Sequence, residues 1–176
     1  MNAKPPIRER VAIGLGCSLG DRRTRLDDTV RRIARHPDIT LLRCSRWYRT
    51  PPMRGGTARG WFLNGVIVVE TALSGLELLR LCRDLEEEAG RRRARFWGDR
   101  TLDLDLLLHG RSVVDSEPLT LPHPGIAARP FVRTPLLEIW PDATDPRTGV
   151  PYRDQPDPTG PRAVPTGAFA FARRSL

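Results

Sequence analysis

Asp103 and Asp105 stand two residues apart in the run Arg100-Thr-Leu-Asp-Leu-Asp105, directly after a stretch with five arginines in the ten residues 91–100. On a strand, alternate side chains project to opposite faces. The two carboxylates would then share one side, with Leu102, Leu104 and Leu106 on the other. Two carboxylates held that close repel unless a cation lies between them. Hard divalent cations such as Mg²⁺ take oxygen ligands and commonly share a few carboxylates with substrate phosphates, while arginine forks take up the remaining phosphate charge. The chemistry is that of a metal-bound polyphosphate. A half-buried strand whose aspartates merely face water is the competing reading of those residues alone, and the neighbouring arginines weigh against it.

Lys4 is the chain's single lysine, and its isolation excludes whole classes of mechanism. No P-loop lysine, protein-kinase strand lysine or Schiff-base lysine is available in the body of the chain. Phosphate chemistry must rest on arginine, backbone amides and metal. A formal charge of +8 and a pI near 10.8 imply an anionic partner without choosing among nucleotide, nucleic acid and acidic lipid.

At 176 residues, 39% hydrophobic and 28% charged, the chain is expected to form one domain with a sizeable core that needs no disulfide. Cys17, Cys44 and Cys82 are odd in number and lack metal-ligand or CxxC spacing, so they read as reduced core or near-core residues of a cytoplasmic protein. No apolar run reaches membrane-spanning length, and the polar N-terminus lacks the hydrophobic region of a signal peptide. A cytoplasmic protein without a membrane partner is the expectation.

The elements that must carry the charged residues follow from periodicity. Residues 11–16 read as a buried first strand and residues 21–35 as a helix, with Leu26, Val30 and Ile33 at i, i+4 and i+7. His36-Pro37-Asp38 stops that helix, and residues 39–48 read as one second strand. Residues 50–60 form a loop long enough to be a candidate for function. A third strand over 61–71 is apolar on both faces in its middle. Ser74 and Glu77 fit a capping box for a helix striped by Leu76, Leu79, Leu81 and Leu85 and ended by Gly90. The Asp-Leu-Asp strand follows over 101–108, then a turn at 109–111, a strand near 112–114, a loop at Pro122-His123-Pro124-Gly125 and a helix over 131–139.

The order β-α-β-β-α-β predicts an α+β, ferredoxin-like split βαβ fold with a C-terminal hairpin and helix extension. Its mostly antiparallel sheet carries two helices on one face and leaves the other to loops. Residues 1–10 read as an N-terminal extension, 11–142 as the functional domain and 143–176 as an irregular tail.

With the first strand, the Thr50-Pro-Pro loop, the Leu63-Asn64 pair, Arg91, Trp97-Gly98, Arg100-Thr-Leu-Asp-Leu-Asp105 and Leu121-Pro-His123 in order, the chain resembles the 6-hydroxymethyl-7,8-dihydropterin pyrophosphokinases of folate biosynthesis. The resemblance implies transfer of the β,γ-diphosphate of ATP to the pterin hydroxymethyl group with release of AMP. Asp103 and Asp105 would hold two Mg²⁺ ions, with Arg91, Arg93 and Arg100 neutralising phosphate charge and no separate general base. Arg91 and Arg100, with the two aspartates, would be the catalytic residues. Trp97, Thr120, His123 and Arg129 would also contact ATP. The pterin would lie against Phe62 and Phe131 with Asn64 at its edge, and Thr50, Pro51 and Met53 would complete its pocket. From composition alone both phenylalanines read as core. The implied protein is a monomer that takes small-molecule substrates.

Several positions depart from the family pattern. Cys17-Ser18 follow the first-strand glycine where Ser-Asn is common, Asp99 replaces a usual proline, and Arg83 and Pro118 replace nucleotide-contacting polar residues. Asp99 adds negative charge beside the phosphate arginines. These leave open the exact pterin, another hydroxymethyl heterocycle, or binding without turnover. A nucleic-acid binder is the rival from another class, but the Lys/Arg-Gly-Phe/Tyr strand pattern of RNA readers is missing. Glycines flanking five mutually repelling arginines make residues 91–100 a candidate nucleotide-responsive lid.

Overall fold

In the computed structural model, residues 7–52, 57–90 and 98–169 are described, Ala168 by its backbone alone. The chain runs β1 (Glu9–Cys17), α1 (Arg22–Ala34), β2 (Ile39–Cys44), β3 (Arg46–Thr50), β4 (Phe62–Thr71), α2 (Gly75–Glu88) and β5 (Asp103–His109). It continues through β6 (Val114–Ser116), β7 (Leu119–Leu121), α3 (Gly125–Ala128), α4 (Pro130–Ile139), a 3-10 turn (Tyr152–Asp154) and β8 (Val164–Ala168). The main sheet has the order β5-β1-β4-β3-β8, with β2 also on β4, and every pairing is antiparallel. Because β4 lies between β1 and the β2–β3 segment, and β1 between β4 and β5, both crossovers are split βαβ units, as the element order predicts.

Both crossover helices are set by local signals. Asp21 caps α1, its carboxylate accepting the Thr24 N–H at 3.1 Å, and Leu26, Val30 and Ile33 bury the expected stripe. Ser74 and Glu77 close the expected capping box on α2. The buried stripe of α2 is Leu78, Cys82 and Leu85, which corrects the sequence reading. Leu76 lies about 200° around the helix from Leu78 and is 46% exposed, while Leu79 and Leu81 are only partly buried. Against the sheet these helices enclose Val11, Ile13, Leu15, Ile67, Val69, Leu104 and Leu106. Burial raises the thiols of Cys44 and Cys82 to about 12, which suits unreactive reduced cysteines.

The opposite face is not left to loops. Ala12, Val66, Val68 and Leu107 are apolar on that side and need a second cover, which Ile126, Val132, Leu136, Ile139 and Tyr152 supply from α3, α4 and the 3-10 turn. The single strand expected over 39–48 is two, broken at Ser45. There the Ser45 Oγ accepts the Val66 N–H at 2.9 Å, and the Ser45 N–H donates to the Val66 carbonyl at 2.9 Å. The hairpin strand expected near 112–114 begins at Val114.

The segment after Asp142, expected to be irregular, adds β8 to the edge of β3. Its prolines hid it: Pro165 sits opposite Tyr48, at a register shift on an outer strand, where a missing N–H is tolerated. Arg133, 4% exposed, holds the approach to β8 by donating to the Gln155 carbonyl at 2.7 Å and the Pro156 carbonyl at 2.5 Å. Among the described residues no helix is long and apolar enough to cross a membrane.

Candidate active site

Two strands with matched alternation build the site. Asp103 and Asp105 on β5 are in register with Gly16 and Gly14 on β1, so the carboxylates stand beside positions without side chains. A cavity of about 280 Å³ opens there, floored by Gly14, Gly16, Gly65 and Leu107. Gly16 is required by its neighbour, since a Cβ there would lie 2.8 Å from the Asn64 Oδ1.

One end of the cavity is aromatic and amide-lined. Asn64, 7% exposed on β4, donates from Nδ2 to the Thr50 Oγ1 at 2.8 Å, which fixes the amide against the end of β3. Pro51, Ala58, Phe62 and Phe131 complete this end, and both phenylalanines are partly exposed lining residues outside the buried core. The Arg129 guanidinium lies 6.0 Å from the Phe131 ring centroid and connects this end to the charged one.

The charged end holds Arg100, Asp103, Asp105, His123 and Arg129. Arg100 Nη1 donates to Asp103 Oδ2 at 2.5 Å, and its backbone is fastened by Ser18, which is 1% exposed. The Ser18 Oγ accepts the Arg100 N–H at 2.9 Å, and the Ser18 N–H donates to the Arg100 carbonyl at 2.9 Å. Asp105 lies deeper. Burial and the neighbouring Asp103 raise its carboxyl above the ordinary carboxylate value, against the opposing pull of His123, Arg129 and Arg100.

His123 Nε2 lies 4.0 Å from Asp105 Oδ1. The ring is oriented from behind, because Nδ1 accepts the Gly125 N–H at 2.9 Å and the His123 N–H donates to the Leu107 carbonyl at 2.9 Å. In the neutral ring the proton therefore sits on Nε2, on the side of Asp105.

Ten of the residues picked out from sequence thus meet around one cavity: Thr50, Pro51, Phe62, Asn64, Arg100, Asp103, Asp105, His123, Arg129 and Phe131. Thr120 does not join them; it is exposed on β7, opposite Asp115. Met53, Arg91, Arg93, Trp97 and most of the proposed lid fall outside the described residues. Arg83 and Pro118 are exposed on α2 and in the β6–β7 turn, away from the cavity lining. The Asp99 carboxylate accepts the Arg59 N–H at 3.2 Å and so joins the loop before β5 to the loop before β4.

Sequence reasoning missed Gly14, Gly16, Ala58 and the fastening by Ser18. Gly14 and Gly16 face Asp105 and Asp103 only through the β1–β5 register, which the sequence does not display.

Among the described residues no group of three or more His, Cys, Asp or Glu side chains is placed to hold a metal alone. Two same-face carboxylates, one of them with its charge disfavoured by burial, fit a hard divalent cation that completes its shell with phosphate oxygens and water.

Comparison with known proteins agrees with this chemistry. The family described as 7,8-dihydro-6-hydroxymethylpterin-pyrophosphokinase (HPPK) matches residues 12–141. The chain is 41% identical over 133 residues to the 2-amino-4-hydroxy-6-hydroxymethyldihydropteridine pyrophosphokinase of Methylorubrum extorquens, covering 76% of this chain and 84% of that one. It is 41% identical over 127 residues to the Bacillus subtilis protein of the same name, covering 72% and 75%. The solved structure of Plasmodium falciparum HPPK-DHPS with pteroate is similar in fold at a TM-score of 0.64 and 13% identity. That match covers 86% of this chain and 42% of the longer one. Since the matched residues 12–141 contain every side chain that lines the cavity, the chain belongs to the 7,8-dihydro-6-hydroxymethylpterin-pyrophosphokinase family.

Proposed function

We propose that the protein transfers the diphosphate of ATP to the hydroxymethyl group of 6-hydroxymethyl-7,8-dihydropterin in folate biosynthesis. The pterin hydroxyl oxygen forms a bond to the β-phosphorus, the bond from that phosphorus to the α,β-bridging oxygen breaks, and AMP leaves with the bridging oxygen. The hydroxyl proton is lost to solvent. The observation that carries this reading is the union, in one cavity of a chain of this family, of an aromatic and amide end with a carboxylate and arginine end. A flat heterocycle needs the first and a polyphosphate the second.

Phe62 and Phe131 supply stacking faces, and Asn64, held by Thr50, reads the pterin edge with Pro51 beside it; Met53 is a further pterin contact on the family resemblance alone. Asp103 and Asp105 would hold two Mg²⁺ ions, which would supply Lewis-acid polarisation of the phosphates and of the attacking hydroxyl. Arg100 moves from Asp103 onto phosphate oxygens as the nucleotide arrives, and Arg91 shares the neutralisation of phosphate charge on the family resemblance alone. Arg129 and the Nε2–H of His123 contact phosphate as well, and Arg93 and Trp97 complete the ATP contacts, whereas Thr120, exposed on β7 away from the cavity, is left out of them. We extend the same reading to a cytoplasmic monomer with no nucleic-acid or membrane partner.

Incubating the protein with ATP, Mg²⁺ and 6-hydroxymethyl-7,8-dihydropterin should yield AMP and the pterin diphosphate in equal amounts. ADP as product, or AMP only when a different hydroxymethyl heterocycle is supplied, would overturn the reaction or its substrate respectively.

A further inference from the structure

Among the described residues β5 is an outer strand: β1 pairs with one of its edges and no other strand of the sheet pairs with the second. An edge strand leaves alternate backbone groups without ladder partners, and such edges slip and twist unless something fastens them. Asp103 and Asp105 bracket one of these groups, the Leu104 N–H. It donates to the Glu86 Oε1 at 2.7 Å in a buried contact, and Glu86, on α2, is itself only 7% exposed. A carboxylate is rarely buried to that degree without a specific partner, and here one partner is a backbone amide between the two aspartates. Farther along β5, the Leu107 carbonyl accepts the His123 N–H at 2.9 Å. The strand is thus held from α2 on one side of Asp105 and from the His123 loop on the other.

We infer that Glu86 is a positioning residue for the Asp103 and Asp105 pair: its carboxylate fastens the open edge of β5 at Leu104 and keeps both aspartates directed into the cavity at a fixed spacing. The inference rests on the reading of those aspartates as cation ligands. Glu86 is a buried residue of α2, which covers the face of the sheet opposite the cavity, and it is absent from the cavity lining, so its effect reaches the site through the Leu104 backbone. Glu86 differs in this from the Leu78 and Leu85 side chains on the same helix, which contribute burial alone.

The test uses the full chain in four variants, Glu86→Gln, Glu86→Leu, Glu86→Asp and Leu78→Ala, with three readouts. These are hydrogen exchange at the Leu104 amide, Mn²⁺ binding in the presence of α,β-methylene-ATP followed by electron paramagnetic resonance, and pterin binding by fluorescence. Glu86→Leu should free the Leu104 amide to exchange faster than the β4 amides and weaken Mn²⁺ binding about 10–100-fold, with pterin affinity unchanged. Glu86→Gln keeps an acceptor oxygen and should stay near the parent. Glu86→Asp keeps the charge but shortens the reach and should lose Leu104 protection, so the test survives if the leucine variant does not fold. Leu78→Ala should speed exchange throughout the core while sparing Mn²⁺ affinity. Leu104 protection equal to the parent in both Glu86→Leu and Glu86→Asp overturns the inference, as does Glu86→Gln behaving like Glu86→Leu. If Mn²⁺ affinity is unchanged in Glu86→Leu, Asp105→Asn decides where the failure lies: loss of binding there overturns the role of Glu86, and retained binding overturns the ligand reading beneath it.

Discussion

Asp105 is held against its own preference. Its carboxyl is raised above the ordinary value because burial and Asp103 both disfavour the charged form. A group whose pKa is higher in the folded state favours folding below its unfolded value and loses that contribution as pH rises through the folded value. In the ligand-free protein Asp105 therefore opposes folding increasingly as pH rises above 3.8 and through its raised folded value. Asp105→Asn removes the charge, so the variant should melt higher than the parent at mildly alkaline pH, with the gap closing as pH falls toward 3.8. A gap that does not change with pH would show that the strain at this position is steric. The same substitution should cost several orders of magnitude in the rate of AMP release, since a cation clamp acts mainly on transition-state charge.

Asn64 and Phe131 make the complementary case at the other end of the cavity. Phe131→Ala should weaken pterin binding by about 1 kcal/mol or more, and Asn64→Ala should do the same while leaving the Thr50 hydroxyl without its partner. Calorimetric titration with pterin and with the ATP analogue separates the two ends: if both variants lose the nucleotide and keep the pterin, the ends have been assigned in reverse.

Among the elements, β1 shows what could and could not be read from the chain. Its apolar run marks a buried strand, and the two aspartates mark a shared face of β5, because both signals are local and have period two. That Gly14 and Gly16 floor the cavity depends on which strand pairs with which and in what register, and no local pattern carries that information. The fastening roles of Ser18 and Glu86 are illegible for the same reason, since each acts on a backbone group far along the chain, at Arg100 and Leu104. The break at Ser45 was hidden because β-forming residues continue on both sides of it. Gly16→Ala is the direct test of the β1 floor. Its Cβ would stand 2.8 Å from the Asn64 Oδ1, so the amide must move and release Thr50. The expected result is pterin affinity at least about tenfold lower, equivalent to one lost hydrogen bond of roughly 1.4 kcal/mol, with a near-parental response to Mg²⁺ and ATP. Unchanged pterin binding would mean that Asn64 has room to spare.

The whole molecule closes on itself through a segment whose composition reads as a tail. Trp47 is fully buried on β3, where a Cβ on Gly65 would come within 2.5 Å of its ring, and its indole N–H donates to Asp27 Oδ1 at 2.8 Å. Phe169 packs edge-on against that ring at 6.4 Å between centroids and is 9% exposed, directly after β8 pairs with β3. Because β3 ends at Thr50, the same strand that receives the C-terminal segment presents the hydroxyl that holds Asn64. If residues beyond 142 were a loose tail, Phe169→Ala would change stability by no more than about 0.5 kcal/mol, as an ordinary surface substitution does. A buried phenylalanine packed against tryptophan should instead cost about 3 kcal/mol. Urea unfolding separates these outcomes, and a drop in stability should come with loosening of β3, read as faster exchange of its amides that pair with β8 and a modest loss of pterin affinity. Stability lost with pterin binding untouched would confine the segment to covering Trp47 and leave Thr50 anchored by β4 alone.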